Sequence, residues 1–268
     1  MAYADNDGIS LYYEVDGPEN EDTVVLVEGL GYGRWMWNWQ RERLTNDGYQ
    51  VVVWDNRGTG DSDVPDGPYT ISQMAGDLEA VLESADIDSA HVVGASMGGM
   101  IAQRYALDYD RAESLALLCT SPGGDDAVPT PPETQARMFD VPEDADEREA
   151  IRYKMKPAMS DDFWTHNDDL VSDIVDWRVE SDAPESAREA QAAAVAGFDA
   201  SDELANVHLP TLVAHGDSDS VLPVENADLL YEGLLNARLA IFEDGPHLFF
   251  IEQAESVNDA LVEFVDDA

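Results

Sequence analysis

Val92-Val93-Gly94-Ala95-Ser96-Met97-Gly98-Gly99-Met100 is the stretch that organises this chain. It holds Gly-x-Ser-x-Gly between an apolar run, residues 91–93, and a helix-like pattern over 100–107. That context is a strand, a sharp turn carrying Ser96, and a helix, the setting in which a serine hydroxyl stands exposed on a strained backbone. Gly94 and Gly98 leave room for so crowded a turn. The same residues also fit an ordinary glycine-rich loop with an incidental serine. Partners for a nucleophile must come from the rest of the chain.

The 268 residues, 44% of them hydrophobic, suffice for one large α/β domain with its core. The longest apolar runs, such as 51–54 and 115–118, fall far short of a membrane span. Met1-Ala2-Tyr3-Ala4-Asp5-Asn6-Asp7 has neither the basic start nor the apolar segment of an export signal. Cys119 is the single cysteine, so no internal disulfide can form. A cytoplasmic protein without a membrane partner is expected. Charge is the extreme feature: 57 acidic residues face 14 basic ones, a formal net charge of −43, and only Lys154 and Lys156 are lysines. Phosphates would be repelled, which excludes a nucleic-acid partner. The acids are spread evenly, in pairs such as Asp125-Asp126 and Asp168-Asp169, so they do not form a tail. Such a surface repels itself where the screening length is about 10 Å, and far less where molar salt shortens it to about 3 Å. The composition predicts a protein of a salt-accumulating extreme halophile.

Outward from Ser96, residues 9–15 read as an edge strand, and 23–27 as a strand buried on both faces that runs into Glu28-Gly29-Leu30-Gly31. These glycines invite a dinucleotide loop, but Arg34 stands where Gly-x-Gly-x-x-Gly demands glycine. Residues 34–44, with Trp35, Trp37 and Trp39, read as a short helix, 49–54 as a strand, 72–84 as a helix and 115–120 as a strand. That order belongs to a parallel sheet wound by crossovers. Residues 122–206 break the rhythm: acidic, proline-punctuated, helical, without a convincing strand. They read either as surface helices burying an apolar stripe or as a lid whose aromatics and methionines line a pocket, and the size and place of the insertion favour the lid. The sheet resumes at 210–214, followed by a helix over 224–235, a strand over 238–242 and a closing helix to Val265.

Three strand ends then carry Ser96, an acid at Asp217 or Asp219, and His247, in the order Ser…Asp…His. A serine hydroxyl is a poor nucleophile until an imidazole takes its proton, and the imidazole needs a carboxylate to set its tautomer. Over nearly its whole length the chain resembles the α/β-hydrolase family. The likeness is carried by Val24-Val25-Leu26-Val27-Glu28-Gly29-Leu30-Gly31, Asp55-Asn56-Arg57-Gly58-Thr59-Gly60-Asp61-Ser62, Gly94-Ala95-Ser96-Met97-Gly98-Gly99, His215-Gly216-Asp217-Ser218-Asp219 and Gly245-Pro246-His247, with Glu252 beyond. It is similar to the small-esterase, 3-oxoadipate enol-lactonase and cofactor-free haloperoxidase branch.

The resemblance implies a mostly parallel eight-stranded sheet flanked by helices, a core of residues 1–121 and 207–268, and a helical cap, 122–206, inserted before the acid-bearing strand. It implies Ser96 as nucleophile, His247 as general base and then acid, and Asp219 as the acid, with Asp217 a rival in the same turn. The backbone N–H groups of Leu30 and Met97 would form the oxyanion hole. Glu28, Trp35, Phe139, Trp164 and Leu248 are the expected pocket lining. No cofactor and no metal is implied. The partner is a small-molecule ester cleaved through an acyl-enzyme; enol-lactone hydrolysis or peroxide-dependent perhydrolysis would use the same triad, and a ligand receptor could retain it. His91, His208 and His215 read as structural, His166 as an exposed lid residue, and Cys119 as a small core residue.

One departure matters. The family usually has histidine where this chain has Glu28. A carboxylate beside the oxyanion hole would disfavour a second negative charge and predicts a preference for neutral esters over carboxylate-bearing ones. The alternative is a Glu28 turned away toward a neighbour such as Arg34 or Arg57.

Overall fold

The computed structural model describes residues 2–19, 22–139, 141–142 and 144–268, the Phe139 side chain excepted. Eight strands make one sheet: β1 (Ala2–Asn6), β2 (Ile9–Asp16), β3 (Thr23–Val27), β4 (Gln50–Trp54), β5 (Ala90–Ala95), β6 (Ala112–Leu118), β7 (Thr211–Gly216) and β8 (Ala237–Phe242). Their order is β1-β2-β4-β3-β5-β6-β7-β8. The β1/β2 and β2/β4 pairs are antiparallel and the rest are parallel. The strand over residues 9–15 is therefore not an edge: β1 covers it, joined by a two-residue turn in which Asp7 and Gly8 have φ of 54° and 87°.

Both faces of the sheet are buried. Val24 and Leu26 point into one core, Val25 and Val27 into the other, and none of the four is exposed. Removing each from water stabilises the fold by about 1.5–3 kcal/mol, which is why the central strands read as unbroken apolar runs. Helices α1 (Asn38–Asp47), α2 (Ile71–Ser84) and α3 (Met97–Asp108) follow β3, β4 and β5. The α2 face of Met74, Leu78 and Val81 packs with Met100, Ile101 and Tyr105 of α3 in the first core. A capping box starts α2: Gln73 N–H donates to Thr70 Oγ1 and Thr70 N–H donates to Gln73 Oε1.

Between β6 and β7 come α4 (Pro132–Phe139), α5 (Glu147–Met155), α6 (Asp161–His166), α7 (Asp168–Ser181) and α8 (Glu185–Ala196). Met155, Phe163, Val171, Ile174 and Val175 join the second core, whereas Ala190 and Ala194 join the first. The segment thus straddles the end of the sheet. After β7 the chain forms α9 (Glu225–Gly233), and after β8 it closes with α10 (Phe249–Glu252) and α11 (Ala254–Asp267), whose Val257, Leu261 and Phe264 cover the second core.

Candidate active site

Ser96 stands between β5 and α3 with φ 55° and ψ −118°. A non-glycine residue there costs on the order of 1–3 kcal/mol, so its surroundings must impose it. They do so through close backbone approach. A Cβ on Gly98 would lie 2.0 Å from the Val27 carbonyl oxygen, and one on Gly94 would lie 2.2 Å from that of Gly98. The Ser96 N–H donates to Leu118 O at 2.9 Å, and its carbonyl accepts from the Thr120 hydroxyl at 2.7 Å and from Gly99 N–H at 3.0 Å. The main chain is engaged, which leaves the half-buried side chain facing a cavity of about 300 Å³. Met97 opens α3, so its N–H belongs to the first turn, where amides have no intrahelical acceptor. Leu30 borders the same cavity from the loop after β3.

His247 reaches the cavity from the loop after β8. Its Nδ1 lies 2.7 Å from Asp219 Oδ2. A carboxylate only accepts, so this contact puts a proton on Nδ1, and in the neutral ring Nε2 is then the nitrogen free to act as a base. Asp219 is over-determined: Oδ1 accepts the N–H groups of Val221 at 2.8 Å and Leu222 at 2.9 Å, and Oδ2 also faces His215 Nε2 at 3.1 Å. Burial alone would push this carboxyl up. The charge of His247 and the hydrogen bonds from His215 and His247 outweigh it and hold the group far below the usual carboxylate range. Asp217, two residues away, is exposed and accepts only from the Ser218 hydroxyl, at 3.2 Å. Of the two acids in the turn, only Asp219 meets the imidazole.

The expected pocket residues separate. Leu248 lines the cavity with Ser96 and His247. Trp35 faces a different cleft beside Arg34 and Trp177, and Trp164 lies on the helical segment under Lys156 and Arg152. Phe139 has its side chain outside the described residues. Glu28 is wholly buried and turned away from the cavity, its Oε1 accepting the Asn56 N–H at 2.5 Å and its Oε2 without a partner. Burial pushes its carboxyl well above the ordinary range, and the charge of Asp55 adds to the rise. Burial and Asp55 both favour its neutral form and the side chain faces away from the cavity, so its position gives no support to a preference for neutral esters. Neither Arg34 nor Arg57 satisfies it: Arg34 pairs with Asp55, and Arg57 makes a two-pronged pair with Asp77 at 2.5 and 2.6 Å.

Four features of the site have roles that only the structure shows. Gln191 of α8 accepts the Gly31 N–H at 2.7 Å and donates to Arg57 O at 2.9 Å, which clamps the loop carrying Leu30. Glu252 accepts both the N–H and the hydroxyl of Ser160, at 2.8 and 2.6 Å, tying the helical segment to the turn after His247. Cations from α5, α7 and α8 reach the cavity: Lys154, Arg178 and Arg188. His215, taken from sequence as structural, is structural in a specific sense, since it braces Asp219. His91 is buried against Ser114, and His208 and His166 are exposed. Cys119 borders the cavity, and burial pushes its thiol well up, so it carries no nucleophilic thiolate there. Among the described residues no group of three or more His, Cys, Asp or Glu is placed to hold a metal, and no helix is long and apolar enough to cross a membrane.

Comparison with known proteins identifies the fold. A family profile described as the alpha/beta hydrolase fold matches residues 22–254. A protein of Azorhizobium caulinodans, provisionally named carbamate hydrolase RutD, is 29% identical over 279 residues, covering 98% of each chain. The solved esterase of Exiguobacterium antarcticum superimposes with a TM-score of 0.85 at 26% identity, covering 98% of each chain. The enol-lactonase of Burkholderia xenovorans LB400 superimposes with a TM-score of 0.86 at 26% identity, over 99% of this chain and 100% of its own.

Proposed function

The chain belongs to the alpha/beta hydrolase family, and from that premise we propose that it is a serine hydrolase cleaving a carboxylic ester of modest size through an acyl-enzyme. The observation that carries the reading is the Asp219–His247 pair at 2.7 Å, opening on the cavity that Ser96 faces from its strained turn. Ser96 attacks the ester carbonyl while His247 Nε2 takes its proton. The tetrahedral oxyanion is held by the Leu30 and Met97 N–H groups, and His247 returns the proton to the departing alcohol. Water activated by His247 then releases the acid. Asp219 orients the ring and stabilises its cation, and His215 orients Asp219.

Residues 122–206 act in this reading as a lid. The cavity supports that role, because α5, α7 and α8 supply one wall and the strand ends supply the other. The acid excess supports a protein that works at molar salt. The test is labelling by a fluorophosphonate probe in molar KCl, wild type beside Ser96→Ala. Labelling is expected of the wild type only. Labelling that survives the substitution removes Ser96 as nucleophile, and a folded wild type that stays unlabelled overturns the hydrolase reading.

A further inference from the structure

The charge of the cavity wall is opposite to that of the protein. Acids make up 57 of 268 residues, about one in five, yet among the described residues no aspartate or glutamate lines this cavity. Of the 14 basic residues, three line it: Lys154, Arg178 and Arg188.

Two of the three are held with unused capacity. Arg178 is only 3% exposed, stacks 4.5 Å over the Tyr32 ring and donates through Nε to Asp182 Oδ2 at 2.8 Å, while its Nη1 is buried without an acceptor. A buried donor left unpaired is costly, and on a cation more so. Lys154 is half-buried and, among the described residues, has no carboxylate within 4 Å, where twelve of the fourteen cations do. In so acidic a protein an unpaired lysine facing a cavity is an uncommon arrangement. Arg188 is the bridge to the chemistry. It shares Asp182 with Arg178 at 3.3 Å and packs over Gly31, where an added Cβ would lie 2.8 Å from its Nη1, one residue from Leu30. The acids acting on the cluster are Asp182, already shared between the two arginines, and Glu185, whose charge reaches Lys154. Three positive groups face one carboxylate in contact and the more distant Glu185, so among the described residues the wall is net positive.

We propose that Lys154, Arg178 and Arg188 form an anion subsite beside the oxyanion loop, and that the preferred substrate is an ester carrying a free carboxylate. The proposal rests on the serine-hydrolase reading for its reaction and on the wall's own charge for its ligand. It reverses the preference expected from Glu28. A carboxylate entering the cavity supplies the acceptor that Arg178 Nη1 lacks and the counter-charge that Lys154 lacks. In a site screened from water these are the hydrogen bonds that discriminate.

The test compares matched pairs in about 2 M KCl, a concentration at which surface charge is screened and buried charge much less so. One pair places the carboxylate on the acyl side: the 4-nitrophenyl half-ester of glutarate and its methyl ester. The other places it on the alcohol side: 4-acetoxybenzoate and its methyl ester. The anionic member of at least one pair is expected to have the higher kcat/KM, by roughly tenfold. Lys154→Met and Arg188→Gln should each lower the anionic-to-neutral ratio by about the same factor, and Lys154→Arg should restore most of it. Neutral members hydrolysed as well as or better than the anionic ones in both pairs would overturn the subsite and leave the hydrolase reading standing. If no ester is turned over, the hydrolase reading falls and calorimetric binding of glutarate still decides: binding that Lys154→Met weakens supports the subsite, and absence of binding to the folded wild type overturns it.

Discussion

Asp219→Asn changes one atom of the site and makes it donate where it accepted. In the wild type every lone-pair direction in use is spoken for: Oδ1 takes two backbone N–H groups at 2.8 and 2.9 Å, and Oδ2 takes His247 Nδ1 at 2.7 Å and His215 Nε2 at 3.1 Å. If the new NH2 faces Val221 and Leu222, two amides lose their acceptor, at about 1 kcal/mol or more each. If it faces the histidines, His247 can adapt and His215 cannot, because His215 Nε2 also serves the Leu222 carbonyl at 2.9 Å. The adaptation is what harms catalysis. His247 moves its proton to Nε2 so that Nδ1 can accept, and Nε2 then has no room for the Ser96 proton. A wrong tautomer in a triad costs about 10⁴-fold in kcat, or about 5.4 kcal/mol of transition-state stabilisation. The assay is hydrolysis of a 4-nitrophenyl ester in molar KCl, with folded protein counted by its melt. Either orientation also strands a donor, so Tm should fall by a few degrees, at about 2–4 °C per kcal/mol for a chain of this size. Asp217→Asn, at an exposed carboxylate, should stay within about twofold. An Asp219→Asn enzyme keeping more than about a tenth of wild-type kcat, or an Asp217→Asn enzyme as damaged, would refute the assignment of the acid.

Other consequences are as direct. Burial raises the folded pKa of Glu28 above its unfolded value, so the native state holds more tightly a proton that the unfolded chain releases above about pH 4.3. Its contribution to stability therefore falls as pH rises from there toward the folded pKa, and Glu28→Gln should gain over wild type as pH goes from 5 to 8 in urea melts. A difference that does not change with pH would show that Glu28 is ionised in the fold. Gly98→Ala forces a Cβ to 2.0 Å from the Val27 carbonyl and should cost about 3 kcal/mol or more with loss of activity, whereas Gly197→Ala, whose nearest atom would be 3.5 Å away, should be close to neutral. Equal melts for the two variants would refute the close-approach account of the elbow. The net charge of −43 should make Tm rise with KCl from 0.1 M to about 2 M, as screening shortens from about 10 Å to a few ångströms. A melt as high in 0.1 M salt would show that surface repulsion does not limit the fold.

What could be read from the sequence was whatever has a local signature. The strand-turn-helix around Ser96 and the alternation of strands and helices are patterns in neighbouring residues, and the chain order of Ser96, an acid at Asp217 or Asp219, and His247 follows from where those strands end. The β1/β2 hairpin was legible too, because Asp7-Gly8 is a strong two-residue hairpin signal, but a polar five-residue strand carries little periodicity to support it. The direction of a side chain has no such signature. Glu28 turns inward because the Asn56 N–H waits there, and Trp35 packs toward Trp177 at 5.9 Å. Neither follows from residue type. The cationic wall is the extreme case. Lys154, Arg178 and Arg188 sit on three separate helices, and only the packing of those helices brings them to one cavity.

The buried acids show how a chain so acidic can still build a working site. They differ in the donors supplied to them. Asp77 receives both prongs of Arg57 and the Asn6 side-chain amide at 2.7 Å; Asp219 receives two backbone amides and two imidazoles. Glu28 receives one amide, and burial favours its neutral form. Surplus charge is left to solvent and salt, while inside the molecule negative charge exists only where it is hydrogen-bonded, and the cavity wall is left positive. It follows that salt should act on the stability of the fold far more than on the chemistry of Ser96, because the groups that set that chemistry are paired at hydrogen-bond distance and shielded from the ions that screen the surface.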